Sequence, residues 1–120
     1  MNRFDTDSLR DLLSAKEVSI RTDKHPDSAV VIWVVVADDT VFVHSFRGAS
    51  GRWYRDLATG GEATLEVGRR RLAVRATPER DPAAIERASQ AYLGKYRSSS
   101  YAQAMVNPDI LATTLRLEPR

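Results

Sequence analysis

Val41-Phe42-Val43-His44-Ser45-Phe46-Arg47-Gly48-Ala49-Ser50-Gly51-Arg52-Trp53-Tyr54 is the stretch on which the fold turns. It begins as a strand, breaks into a polar loop and reopens on an aromatic pair. From Ser45 to Arg52 it holds two arginines, two serines and two glycines. Guanidinium forks and hydroxyls donate to phosphate oxygens, and glycine lets backbone N–H groups approach an anion closely. The flanking rings suit something flat. This bend therefore predicts a phosphorylated, planar ligand.

On the N-terminal side, Ala29 to Ala37 is nearly all β-branched or aromatic and has no polar face. That pattern predicts a central strand covered on both sides. Asp38-Asp39 then turns the chain into a strand from Thr40 to Phe46. Earlier, Glu17 to Thr22 alternates apolar and polar residues, as a half-buried strand does, and a loop carrying Pro26 follows it. Asp5-Thr6-Asp7 caps a short helix whose Leu9, Leu12 and Leu13 share one face, ending near Ala15.

On the C-terminal side, Trp53 opens a short helix through Ala58, which Thr59-Gly60-Gly61 breaks. Ala63, Leu65 and Val67 alternate with polar partners, as do Leu72, Val74 and Ala76 after a Gly68-Arg69 turn, predicting a hairpin. Asp81-Pro82 starts a long helix that runs to about Tyr96. A serine-rich break, a short helix from Tyr101 to Val106 and a last strand from Ile110 to Leu117 complete the chain. About six strands joined by short turns, with few crossovers, predict a mainly β fold with α-helices. The expected form is a small six-stranded antiparallel barrel flanked by helices, a single domain over residues 1–120.

A chain of 120 residues buries about two-thirds of its unfolded surface. It has no cysteine, which excludes disulfides, thiol catalysis and iron–sulfur ligation. Met1-Asn2-Arg3-Phe4-Asp5 lacks the apolar core of a signal peptide, and Ala29 to Ala37 is too short for a membrane helix. A soluble, cytoplasmic protein is expected. The net charge is only +2, and no aromatic RNA-binding strand motif is present, which argues against nucleic acid. Arg69-Arg70-Arg71 is read as a solvated hairpin tip. His25 and His44 lack metal-type spacing, so no metal site is expected. His44 and Ser45 are strand neighbours that should face opposite ways, which disfavours a Ser–His dyad.

Four motifs span most of the chain: Ile32-Trp33-Val34-Val35; Ser45 with Gly48 and Arg52-Trp53-Tyr54-Arg55; Lys95-Tyr96; and Thr114-Leu115-Arg116-Leu117 followed by Pro119. Together with the strand–loop–helix–hairpin order they resemble the split-barrel flavoprotein superfamily, in particular an uncharacterised branch known only as a domain of unknown function. The loop is also similar to that of the deazaflavin-dependent nitroreductases. More distantly, Ser45, Ser50 and Arg52 resemble the phosphate-binding pattern of pyridoxamine-phosphate oxidase relatives, with arginine standing for lysine.

The resemblance implies a six-stranded antiparallel split β-barrel that forms a homodimer, with FMN or a deazaflavin coenzyme at the subunit interface. Ser45, Arg47, Ser50 and Arg52, with Gly48 in the same loop, are the expected phosphate cradle. Trp53 either stacks on the ring or packs in the core, and Trp33 is expected in the core. Arg21 and Thr22 either meet a ring carbonyl or ribityl chain or are exposed strand-end polarity. Lys95 is a secondary ligand candidate, although a cation at a helix C-terminus is explained equally by the dipole. The function implied is reduction of a small organic acceptor by hydride from the cofactor. The alternative is a non-enzymatic cofactor-binding or ligand-free dimeric module.

Overall fold

In the computed structural model, which describes residues 3–120, the apolar run ending at Ala37 is two strands rather than one. β1 is Val18–Thr22, β2 Val30–Ile32, β3 Val34–Ala37, β4 Thr40–Val43, β5 Gly61–Val67, β6 Arg70–Pro78 and β7 Leu115–Pro119. They form one sheet in the order β2-β1-β5-β6-β7-β4-β3, with every neighbouring pair antiparallel. β2 and β3 therefore lie at opposite edges of the sheet, yet Trp33 alone separates them in the chain. The chain passes from one edge to the other at a single residue. This curls seven strands into a nearly closed barrel.

Two expectations are corrected here. The barrel has seven strands, not six, and the apolar run supplies its two edges rather than its centre. An apolar sequence registers that both faces are covered, not what covers them. Val34 points to the barrel interior, with Val41, Val43, Leu65, Val74 and Leu115. Val35 points outward onto the helix α3, Pro82–Lys95, where Phe42, Ala84, Ala88, Tyr92 and Tyr96 form a second cluster. Full burial of each such aliphatic or aromatic side chain contributes roughly 1.5–3 kcal/mol. On β2, by contrast, Val31 is 60% exposed.

The helix signals in the sequence are realised closely. Asp5 accepts a 2.7 Å hydrogen bond from the Ser8 N–H at the start of α1, Thr6–Ser14. Asp81 does the same for Ala83 at α3, with Pro82 in the first turn. Asp38 and Asp39 both adopt positive φ, 51° and 62°, the turn that matches the twist of a two-residue hairpin between β3 and β4. The short helix after the polar loop is α2, Arg52–Leu57.

The C-terminal region departs from expectation. Pro108 opens a short helix, α4, Pro108–Leu111, so the strand read from Ile110 to Leu117 begins only at Leu115. Proline fits the first helical turn because its missing N–H would have no partner there. Thr113, placed in that strand by its alternation, instead turns inward and donates to the Ile110 carbonyl at 2.6 Å. The segment read as a helix from Tyr101 is a 3-10 turn, Gln103–Val106.

Breaking a strand leaves backbone carbonyls to be satisfied, and side chains of α3 and of Tyr96, which caps its C-terminus, do this. Tyr92 donates its hydroxyl to the Trp33 carbonyl at 3.0 Å. Lys95 Nζ donates to the Val34 and Leu12 carbonyls at 2.7 and 2.9 Å. Tyr96 donates to the Lys16 carbonyl at 2.7 Å, and its ring lies flat on Trp33 with centroids 3.9 Å apart. The long helix thus clamps the point where the sheet edges meet. Among the described residues no helix is long and apolar enough to cross a membrane. Met1 and Asn2, part of the stretch read for a leader, lie outside the described residues.

Candidate functional site

A cleft of about 690 Å³ opens beside the Trp33 junction. Its lining takes Val30, Val31, Ile32 and Trp33 from the junction, and Phe46, Arg47, Gly51, Arg52 and Trp53 from the polar loop and the start of α2. Tyr101, Met105, His44 and Glu17 complete the lining. The volume lies within the usual range for small-molecule pockets, about 300–1,000 Å³. The walls are mostly apolar and aromatic.

The polar loop expected to form the site does border this cleft, and its parts divide into two roles. Ser45 is fully buried, and its hydroxyl donates to the Gly48 carbonyl at 2.8 Å. Its N–H donates to Thr113 Oγ1 at 2.9 Å. Gly48 takes φ +64°, which favours glycine, and a side chain at Gly51 would sit 2.8 Å from Ser45 Oγ. Ser50 donates to the Arg47 carbonyl at 2.9 Å. These residues therefore hold the loop in shape. Arg47 and Arg52 are exposed at the cleft, and among the described residues neither joins an ion pair. Arg21, Arg70, Arg71, Arg75, Arg116 and Arg120 do, whereas Arg55, Arg69, Arg80 and Arg97 are likewise unpaired among the described residues, so what sets Arg47 and Arg52 apart is their place in the cleft lining.

The remaining expected site residues fall elsewhere. Arg21 Nε donates to Glu66 at 2.9 Å, and Thr22 donates to Asp56 at 2.6 Å. Burial pushes the Asp56 carboxyl up, but hydrogen bonds from Thr22 and His25 outweigh it and leave the pKa below its ordinary value. Lys95 is held on its two carbonyls, and burial lowers its ammonium pKa to about 8. None of the three lines the cleft. Trp53 belongs both to the buried core and to the cleft wall. Trp33, expected in the core, is half-buried with one ring face on Tyr96, and it lines the cleft. In the arginine triplet, Arg70 and Arg71 are tied to Asp11 and Glu66.

Sequence reasoning weighed His44 only for a metal or a dyad and did not place Phe46 or Tyr101 in the site. Phe46 and Tyr101 are 54% and 60% exposed and meet edge to face, with centroids 5.9 Å apart. An aromatic in a loop of polar residues was the available signal for Phe46. His44 is buried, its ring 4.4 Å from that of Tyr92, and its Nδ1 lies 2.9 Å from the Met105 carbonyl. Burial lowers its pKa to about 4 against the support of that hydrogen bond, so the imidazole is neutral near pH 7. Ser45 and His44 bond to different partners, and no dyad forms.

The fold and the cleft define a class: a mainly β, seven-stranded antiparallel barrel, nearly closed, with an aromatic cleft at its seam. The chain belongs to the family described as an uncharacterized protein conserved in bacteria (DUF2255), which matches residues 8–117. No curated protein matches it. Among solved structures it is similar to the conserved hypothetical protein Rv2991 from Mycobacterium tuberculosis, with a TM-score of 0.63 and 11% identity. That match covers 99% of this chain and 81% of the other. A weaker likeness, TM-score 0.45 and 19% identity, is to the FAD and heme binding protein from Mycobacterium smegmatis, covering 94% of this chain and 64% of that one. The first likeness concerns the fold alone, and it agrees with the split-barrel resemblance seen in the motifs.

Proposed function

We propose that the cleft binds a phosphorylated planar heterocycle, FMN or alternatively a deazaflavin coenzyme, in a flavoprotein-like split barrel. The observation that carries this reading is the pair of unpaired guanidiniums, Arg47 and Arg52, bordering an aromatic-walled cleft of about 690 Å³. The residues present fit the group. Arg47 and Arg52 supply charge-assisted donors for a phosphate, while Trp33, Trp53, Phe46 and Tyr101 supply flat apolar surface for a ring. Glu17, the acidic residue of the lining, belongs away from the phosphate. Gly48, Ser45, Ser50 and Gly51 set the backbone that presents the arginines.

Hydride chemistry is what such a ring supplies when bound. The chain's own part is to bind and orient it, to exclude water with its aromatic walls, and to leave room for a small organic acceptor. The cleft is bordered by Val31, Phe46 and Tyr101, large exposed apolar side chains, and by the free edge of β2. We propose that a second copy of the chain covers this face, giving a homodimer with the ligand between subunits. Large exposed apolar patches mark such contacts.

The test is to record the visible spectrum of the purified protein and titrate it with FMN and with the deazaflavin. Saturable binding at micromolar concentration or tighter is expected. A colourless protein that binds neither overturns the reading. Assays with nicotinamide electron donors and nitro, quinone or enone acceptors then separate an oxidoreductase from a cofactor carrier without turnover.

A further inference from the structure

We infer that His44 reads the pyrimidine edge of the bound ring, its Nε2 accepting a hydrogen bond from the ring N3–H. This rests on the flavin-type reading above and extends it, because it assigns both the orientation of the ring and the residue that selects it. Flavin and deazaflavin share that N–H donor, so the assignment does not depend on which is bound.

The observation is an orphaned acceptor. Among the described residues, His44 Nε2 is the only buried side-chain nitrogen or oxygen without a hydrogen-bond partner. Its tautomer follows from its other nitrogen. Nδ1 lies 2.9 Å from the Met105 carbonyl, which can only accept, so Nδ1 carries the proton and Nε2 the lone pair. The ring is also fixed in place. Tyr92 lies against it, and the His44 N–H donates to the Tyr92 hydroxyl at 3.0 Å. Buried polar groups without partners are rare and call for an explanation. This one belongs to a side chain of the cleft lining, the same cleft that Arg47 and Arg52 border.

A metal ion is the other common partner of such a nitrogen, but among the described residues no group of three potential metal ligands surrounds it. A ring donor fits better. Arg47 and Arg52, which line the same cleft, would hold the phosphate. Nε2 is itself buried, so its contact with a ring requires the neighbouring lining, the unbranched Met105 included, to give way.

The experiment compares FMN with N3-methyl-FMN, and the same pair in the deazaflavin series, on the wild-type protein and on His44→Phe. Wild type should bind the unmethylated ligand about 10- to 100-fold more tightly, the effect of leaving a buried acceptor unpaired. His44→Phe should bring the ratio close to one. On wild-type protein labelled with 15N-histidine, the Nε2 resonance of His44 should report an unprotonated nitrogen, move upfield with FMN and stay in place with the methylated ligand. That readout does not depend on the variant folding. Tight FMN binding with equal affinity for the methylated ligand and an unmoved Nε2 resonance overturns the role of His44 and leaves the flavin reading standing. Failure of every ligand to bind overturns both.

Discussion

The two sides of the Trp33 junction are built on opposite principles. On the helix side, the Trp33 carbonyl is met by Tyr92 and the Val34 carbonyl by Lys95 and Tyr96, and Val35 and Phe42 are sealed beneath α3. On the cleft side, Phe46, Tyr101 and Val31 stand exposed, two arginines lack counter-ions, and His44 Nε2 lacks a donor. One side has its interactions completed internally; the other has donors, acceptors and apolar surface that something else must complete. The contrast locates function more sharply than any single residue does.

The largest test of this contrast is truncation of one aromatic on each side. Phe42→Ala should destabilise the protein by about 3–5 kcal/mol, as removal of a buried phenyl ring does. Phe46→Ala and Tyr101→Ala should each stay within about 0.5 kcal/mol in urea unfolding while weakening ligand binding. Comparable losses on both sides would mean that the cleft rim is part of the core.

Acid should expose the cost of the buried imidazole. The folded pKa of His44, about 4, lies below the ordinary 6.5, so the unfolded chain takes up its proton first as pH falls. Stability from this residue is complete above about pH 6.5 and is lost progressively by about pH 4, a change on the order of 3 kcal/mol. Urea midpoints measured across that window should fall in wild type, and the slope should be smaller in His44→Gln. Asp5, Asp56 and Glu66, whose pKa values are lowered, contribute losses at lower pH.

A subtler probe is Tyr92→Phe, which leaves the buried His44 N–H and the Trp33 carbonyl without their partner. A loss of about 1–3 kcal/mol is expected, read as a lower melting temperature. The smallest effect on stability belongs to Arg47→Ala and Arg52→Ala. Each should leave the melting temperature almost unchanged and weaken FMN binding about 10-fold or more, with the difference shrinking at high salt.

Much of the architecture was legible from local patterns, because local physics produces it. Asp5 and Asp81 cap their helices, Asp38-Asp39 forms the tight turn, and Gly68 turns the long hairpin, each as its side chain or backbone freedom dictates. The loop from Ser45 to Arg52, read from its composition as the candidate site, borders the cleft. Its internal division was not visible. A serine that donates to phosphate and a serine that donates to a neighbouring carbonyl have the same letter, and only the geometry shows Ser45 and Ser50 holding the loop while Arg47 and Arg52 face outward.

By itself, then, the sequence determined the periodicities, the caps and turns, the antiparallel β character and the family, all consequences of neighbours a few residues apart. Tertiary structure alone decided that an unbroken apolar run would split at Trp33 and that His44 would be left without a donor. Those outcomes depend on contacts between residues about 50 or more positions apart, Trp33 with Tyr92 and His44 with Met105 among them. The physical reason is closure. Joining the two edges of a curled sheet forces a corner somewhere, and its place is set by which distant side chains can satisfy the backbone exposed there.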